Sequence, residues 1–208
     1  MNIIVLGGFL GAGKTTFLLK LAHYLAENST YGGATKLAII ENEIGAVGID
    51  SNILHSGGLQ TRDLFAGCAC CSLKEELIAT IEEIQQELNP ETIIIESTGV
   101  GIPENIRLMI QARLNLPVHV IVLVDGSRWF RILPVAGELA RGQLAGADTV
   151  IINKIDLLSK EELDHAQSFL TKEVPGARVF ACSATAAETE TSLLPEICSA
   201  FSSGRQES

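Results

Sequence analysis

Short, continuous apolar runs recur along the chain and alternate with longer stretches in which apolar residues return every three or four positions. The apolar runs read NIIVL, KLAII, ETIIIES, VHVIVLVDGS, DTVIINK and ARVFACSA. Stretches such as FLLKLAHYLAEN, LKEELIATIEEIQQEL and SKEELDHAQSFLTKEV lie between them and have the helical period. Strands without polar alternation are buried on both faces, so the pattern predicts a doubly wound α/β fold whose mostly parallel sheet is flanked by helices.

The chain is expected to form one domain. With 208 residues, 47% of them hydrophobic, it can bury a sizeable core, and it has no internal repeat or long linker. We expect this domain to span residues 1–201, with a polar tail at 202–208 that frays and no second carboxy-terminal domain. No apolar run reaches the roughly 18 residues of a membrane span, and the apolar start lacks a basic leader, so we expect a cytoplasmic location and no membrane association.

The charge balance restricts the partners. The formal charge of −10 and the pI near 4.8 count against nucleic acid and anionic membrane surfaces, because both require clustered Lys and Arg. Any recognition of phosphate must therefore be local.

Residues 8–15, GFLGAGKT, match the phosphate-loop pattern G-x-x-x-x-G-K-[ST] between an apolar strand and a helical stretch. Its glycines allow backbone conformations that a Cβ would block, so that successive N–H groups can face the β-phosphate. Lys14 would bring a positive charge to the β and γ oxygens, and the Thr15 hydroxyl can bind Mg²⁺. The predicted nucleotide-binding residues of this loop are Gly8, Gly11, Ala12, Gly13, Lys14, Thr15 and Thr16.

A second element is Glu96, an acidic residue at the end of the apolar strand in TIIIESTG. A carboxylate there can hold Mg²⁺ or its water, while Gly99 lets the backbone approach the γ-phosphate. Taken alone, the segment is equally typical of a turn or a helix cap.

The third element is VIINKID, residues 150–156, in which Asn153, Lys154 and Asp156 follow an apolar strand. The Asp carboxylate can accept hydrogen bonds from both N1–H and the exocyclic amine of guanine, and the Lys stem can pack along the base. Adenine offers no such donor pair, so the motif favours GTP over ATP. Ser183 and Ala184 fit the backbone loop that completes a guanine pocket.

With these motifs assembled, the chain resembles the CobW/HypB/UreG family of SIMIBI-class P-loop GTPases, and most of all its CobW branch. GGFLGAGKTT, ENEIGAVGID, GCACC, ESTG and NKID occur in that family's order within residues 7–156. The resemblance implies a GTPase that uses GTP/GDP and Mg²⁺, is slow without a partner, and delivers zinc, nickel or cobalt or services metal-containing cofactors such as corrinoids. It also implies a client metalloprotein or cofactor-maturation protein and a nucleotide-dependent homodimer.

The chain departs from the family pattern at two points. Many CobW-type proteins carry a carboxy-terminal domain and often a His-rich segment, whereas here we expect no second domain, and the four histidines are scattered. In ENEIGAVGID, Ala46 stands where the family usually has an acidic residue implicated in its metal or switch chemistry. A site that depended on that residue would lack one ligand here.

ENEIGAVGID also supplies candidates for the switch that senses the γ-phosphate. Glu41 and Asp50 can face Mg²⁺ or an attacking water, and two glycines let the loop change conformation. We therefore add both residues to Lys14, Thr15 and Glu96 as catalytic candidates. Without the resemblance, a solvated acidic loop is the simpler interpretation.

GCACC places Cys68, Cys70 and Cys71 within four positions. Thiolates suit Zn²⁺, Ni²⁺ or Co²⁺, and three of them leave a fourth position for an exchangeable ligand or a client. Two alternatives stay open: small apolar residues before a helix, or a reversible disulfide. Cys182 and Cys198 stand alone and are expected to be core residues, and Trp129 is expected to pack.

Two other classes of function fit parts of the sequence. One is an ATP-dependent small-molecule kinase or ligase built on the same phosphate loop, against which the Asn-Lys-x-Asp motif counts. The other is a non-catalytic, zinc-stabilised adaptor whose nucleotide only holds the fold.

Overall fold

A computed structural model of the chain describes residues 1–28, 37–41, 60–63 and 72–203. Within these residues, seven strands form one sheet in the order β3-β2-β4-β1-β5-β6-β7, and every neighbouring pair is parallel. The strands are β1 (Asn2–Gly8), β2 (Leu37–Glu41), β3 (Gln60–Asp63), β4 (Thr92–Glu96), β5 (Val118–Asp125), β6 (Thr149–Asn153) and β7 (Arg178–Ala181). Six of them contain the predicted apolar runs, whereas the polar β3, QTRD, has no apolar pattern that could have revealed it.

Six α-helices lie within the same residues, and they connect or follow the strands. They are α1 (Lys14–Glu27), α2 (Ser72–Leu88), α3 (Pro103–Leu114), α4 (Trp129–Leu144), α5 (Lys160–Glu173) and α6 (Leu194–Ser203). Local sequence explains some of their ends: Ser159 and Glu162 form a capping box that starts α5, with bonds of 3.2 and 2.8 Å. Pro134 lies inside α4, where Ala136 has non-helical torsions that mark a kink. No described helix is long and apolar enough to cross a membrane.

The helices cover both faces of the sheet, as a doubly wound fold requires. Successive strand side chains point to opposite faces, so Ile3 and Val5 of β1 belong to the core cluster that includes α2, α3, α4 and α5, whereas Ile4 and Leu6 belong to the cluster that includes α1 and α6. The predicted fold class is confirmed. The limits of the domain and of the polar tail stay predictions.

All strands run in one direction, so their carboxyl ends share one edge of the sheet. The phosphate loop, Glu96 and the Asn-Lys-x-Asp segment each lie at the carboxyl end of a strand on that edge. Ligands of open parallel sheets bind outside this edge, which locates the candidate site.

Candidate functional site

The phosphate loop joins β1 to α1 and has the backbone conformation that its glycines were expected to supply. Gly8, Gly11 and Gly13 have φ of +133°, +77° and +95°, a region in which a residue with a Cβ is strained. Gly13 also has no room for a Cβ, because one placed there would strike the side-chain amide of Asn153. The phosphate loop therefore packs closely against the end of β6.

Lys14 and Thr15 begin α1 at the phosphate-loop end. Lys14 is only 5% exposed, and its Nζ donates to the carbonyl oxygen of Phe9 across the loop at 3.5 Å. The Thr15 hydroxyl donates to the carboxylate oxygens of Glu96 at 3.2 and 3.4 Å. Glu96 is 3% exposed, so α1 and the end of β4 bring a hydroxyl and a buried carboxylate together beside the loop.

This pair of oxygen ligands fits Mg²⁺, which binds through one or two protein oxygens, phosphate oxygens and water. Thr15 and Glu96 were predicted as its ligands from separate motifs, and the structure brings their side chains into contact. Magnesium binding itself stays a prediction.

Asn153, at the end of β6, links three loops rather than lying open to a ligand. It is 2% exposed, and its Nδ2 donates to the carbonyl oxygen of Ala12 in the phosphate loop at 2.8 Å. Its Oδ1 accepts from the backbone N–H groups of Lys154 and Ala184, both at 2.8 Å. The first residue of the Asn-Lys-x-Asp motif therefore holds the phosphate loop, the turn after β6 and the loop after β7 in one arrangement.

Lys154 reaches from the end of β6 across the phosphate loop. Its backbone has a φ of +63°, which is uncommon for lysine. Its Nζ donates to the carbonyl oxygen of Gly11 at 2.6 Å and to Oδ2 of Asp125 at 2.8 Å. Burial raises the pKa of Asp125, but hydrogen bonds from Lys154 and Ser127 and the charges of Lys154 and Arg128 outweigh it and hold that pKa below its usual value. The charged end of the Lys154 side chain is thus held by the Asp125 carboxylate. Its aliphatic stem is the part that was predicted to pack along a base.

The remaining guanine-pocket candidates lie on the adjoining turns. Asp156 is in a short 3₁₀ turn, Ile155–Leu157, and is exposed. The N–H of Ile155 donates to the carbonyl oxygen of Cys182 at 3.3 Å, which joins this turn to the loop that carries Ser183 and Ala184. The structure therefore brings the Asn-Lys-x-Asp turn, the loop after β7 and the phosphate loop together at one edge.

Several predicted residues lie outside the described part of the chain, namely Ala46, Asp50, Cys68, Cys70 and Cys71. For Glu41, the backbone register places its Cα opposite that of Glu96 in the β2–β4 pair, at the same edge of the sheet. Among the described residues, no group of three or more His, Cys, Asp or Glu side chains could hold a metal ion. The switch residues and the cysteine site stay predictions.

Asp125 and Gln143 contribute to this edge without having been predicted. Asp125 ends an apolar strand in the sequence, a position equally typical of a turn residue, and in the structure it is the register partner of Asn153. Gln143 in α4 donates from Nε2 to the carbonyl oxygen of Gly99 at 2.7 Å, and no local sequence signal marks it. Gly99 itself abuts the phosphate loop, since a Cβ there would lie 2.8 Å from the backbone nitrogen of Leu10.

The isolated cysteines and the tryptophan pack in the core. Trp129 is 2% exposed, as expected. Cys182 is buried and Cys198 is partly buried against the same core. Burial raises the pKa of Cys182 to about 11, against the opposing effects of Thr189 and Lys20, and raises that of Cys198 to about 12. Both thiols are therefore protonated at neutral pH and unsuited to reaction.

The chain is similar to known proteins in both sequence and fold. The family model of the CobW/HypB/UreG nucleotide-binding domain matches residues 2–181. The chain is 30% identical over 158 residues to the zinc chaperone YeiR of Escherichia coli K12, which covers 74% of this chain and 46% of that protein. It is 27% identical over 221 residues to zinc-regulated GTPase metalloprotein activator 1 of Dictyostelium discoideum, which covers 86% of this chain and 45% of that protein.

The fold resembles the crystal structure of the hydrogenase maturation factor HypB from Archaeoglobus fulgidus, with a TM-score of 0.70 over 97% of this chain and 90% of that one. The two sequences are 13% identical in that superposition, so the likeness concerns the fold alone. The chain spans about half the length of the two relatives that it matches in sequence.

Proposed function

The chain belongs to the CobW/HypB/UreG family, and from that premise we propose that it binds GTP with Mg²⁺, hydrolyses it to GDP and phosphate, and couples its nucleotide state to the handling of a metal. The observation that carries the nucleotide part is the position of Asn153, whose amide joins the phosphate loop to both loops of the candidate guanine pocket. These three segments are far apart in sequence, and a guanine nucleotide would contact all of them.

The proposed hydrolysis is in-line attack of water on the γ-phosphate. The phosphate-loop N–H groups and Lys14 would stabilise the charge that develops on the phosphate oxygens, because they are held in place before the reaction begins. Thr15 and Glu96 would hold Mg²⁺, whose charge supplements that of Lys14. Glu41 and Asp50 remain the candidates for orienting the water.

The preference for guanine rests on Asp156. Its exposed carboxylate lies on a turn tied both to Lys154 and to the loop after β7, a place from which it can accept from N1–H and the exocyclic amine of the base. Asp156→Asn should therefore weaken GTP binding and improve the relative binding of xanthosine triphosphate. Unaltered GTP affinity in this variant would place the guanine reader elsewhere.

The metal part rests on the relatives, one named a zinc chaperone and the other a zinc-regulated GTPase metalloprotein activator. Cys68, Cys70 and Cys71 are the proposed thiolate ligands, with zinc as the first candidate and nickel and cobalt as alternatives. The partner would be a client metalloprotein or a cofactor-maturation protein. A cytoplasmic location is proposed with this function.

Pairing of two copies in the GTP state is also proposed. Leu10 in the phosphate loop and Val100 after β4 are 77% and 70% exposed, and Gly99 brings their segments into contact beside the candidate phosphate site. Such exposed apolar side chains are suited to burial against a partner. Sedimentation with a non-hydrolysable GTP analogue and with GDP would test this; equal mass in both states would count against it.

Multiple-turnover phosphate release decides between this proposal and its rivals. Lys14→Ala should abolish release, whereas the matched control Lys172→Ala, on the exposed face of α5, should leave it unchanged. Absence of turnover in the unaltered protein would favour the non-catalytic adaptor. Competition by ATP as strong as that by GTP would favour the kinase or ligase.

A further inference from the structure

Gln143, near the end of α4, makes a contact that the nucleotide motifs do not account for. Its side chain is 1% exposed, and its Nε2 donates to the carbonyl oxygen of Gly99 at 2.7 Å. Its Oε1 is also buried and has no hydrogen-bond partner among the residues that the structure describes. Within the part of the chain that the structure describes, the bond to Gly99 is therefore the one hydrogen bond of this buried amide.

The Gln143 amide donates to a carbonyl group at the centre of a tight turn. The N–H of Gly101 donates to the carbonyl oxygen of Thr98 at 3.0 Å, so residues 98–101 form a β-turn with Gly99 and Val100 at its centre. This bond closes the turn but does not fix the orientation of its central peptide, which joins Gly99 to Val100. That orientation distinguishes one turn type from another. Glycine at the first central position makes more than one type accessible.

Gln143 holds the carbonyl that sets this orientation. Because the peptide is planar and trans, a Gly99 carbonyl held toward α4 directs the N–H of Val100 away from that helix. The helix is a firm support, since Ala140 and Leu144 on either side of Gln143 are fully buried in the core.

The turn also borders the phosphate loop. A Cβ on Gly99 would lie 2.8 Å from the backbone nitrogen of Leu10, so the two backbones are in contact. The turn begins two residues after Glu96, which contacts Thr15. The backbone N–H groups of this turn are therefore near the position that the last phosphate of a bound nucleotide would occupy.

We infer that Gln143 is a positioning residue for the γ-phosphate: it holds the central peptide of the turn at 98–101 so that the N–H of Val100 can receive the terminal phosphate of GTP. This inference rests on the proposed function. GDP lacks the γ-phosphate, so Gln143 should distinguish GTP from GDP instead of strengthening nucleotide binding in general.

Gln143→Leu tests the inference, because leucine removes the donor and the unpaired acceptor while keeping most of the volume. We expect the affinity for a non-hydrolysable GTP analogue to fall about tenfold, the effect of losing one oriented hydrogen bond, while GDP affinity stays within about twofold. Fluorescent-nucleotide titrations would measure both. Gln143→Asn, whose amide is one methylene too short to reach Gly99, should lower the two affinities in the same selective way. It replaces the leucine variant as the test if that variant does not fold.

Gln111→Leu, at an exposed position of α3, is the matched control and should change neither affinity. A role confined to packing would lower both affinities equally or neither, and either outcome would overturn the inference. An unaltered protein that binds neither nucleotide would overturn the proposed function itself, and that result is seen before any variant is made.

Discussion

Asn153→Ala should be among the most damaging single substitutions at the candidate site. The variant leaves three backbone groups without their partner, each now 2.8 Å from the amide: the buried carbonyl oxygen of Ala12, the buried N–H of Ala184 and the partly buried N–H of Lys154. A typical hydrogen bond contributes about 1 kcal/mol to stability, and an unpaired buried group costs about 1–3 kcal/mol. The free energy of unfolding should therefore fall by about 3 kcal/mol or more.

Asn153→Asp is a second test of the same side chain. Its carboxylate can still accept from Lys154 and Ala184, but it loses the donor to the carbonyl oxygen of Ala12 and places a buried negative charge against that oxygen. Denaturant unfolding without nucleotide should show both Asn153→Ala and Asn153→Asp to be less stable than the unaltered protein. The control Asn105→Ala, exposed on α3, should stay within about 0.5 kcal/mol of the unaltered protein. A loss below about 1 kcal/mol in Asn153→Ala would show that the three loops do not depend on this amide.

Three further predictions concern the neighbouring groups. The pKa of Asp125 is below its ordinary 3.8, so this carboxylate stabilises the fold above that pH and loses its contribution as pH falls through the folded value. Asp125→Asn should therefore destabilise the protein at pH 7, and unfolding curves should show the difference narrowing below about pH 4; a constant difference would contradict this. Gly13→Ala, at φ +95° and against the amide of Asn153, should cost about 2 kcal/mol or more in unfolding free energy and weaken GTP binding. Serine at all three cysteines of GCACC should remove tight zinc binding and leave GTP affinity nearly unchanged. In the unaltered protein, the zinc affinity measured with a GTP analogue should differ from that measured with GDP by about 1–3 kcal/mol. Equal zinc affinity in the two nucleotide states would leave the cysteine cluster without that role.

The sequence predicted the fold and the conformation of the phosphate loop because both are encoded locally. Apolar runs of strand length, as in β1 and β5, need no tertiary information to be read as buried parallel strands. The phosphate loop has glycines at the positions where the backbone needs positive φ, so its conformation follows from the motif. By contrast, β3 is polar and short, and only its pairing with β2 makes it a strand.

Residues that support the site could not be predicted in this way, because their partners are distant in sequence. Asp125 resembles an ordinary turn residue until β5 and β6 pair and Lys154 folds back over the phosphate loop. Gln143 fits the polar pattern of a surface helix, and only the packing of α4 against the loop after β4 buries it next to Gly99. The strand ends nevertheless follow a rule that needs only the amino-acid sequence: Glu96, Asp125 and Asn153 each end a buried strand, and parallel strands bring such residues to one edge. A polar residue that ends a continuous apolar run in an α/β sequence should therefore be considered a candidate for the site before it is considered a turn.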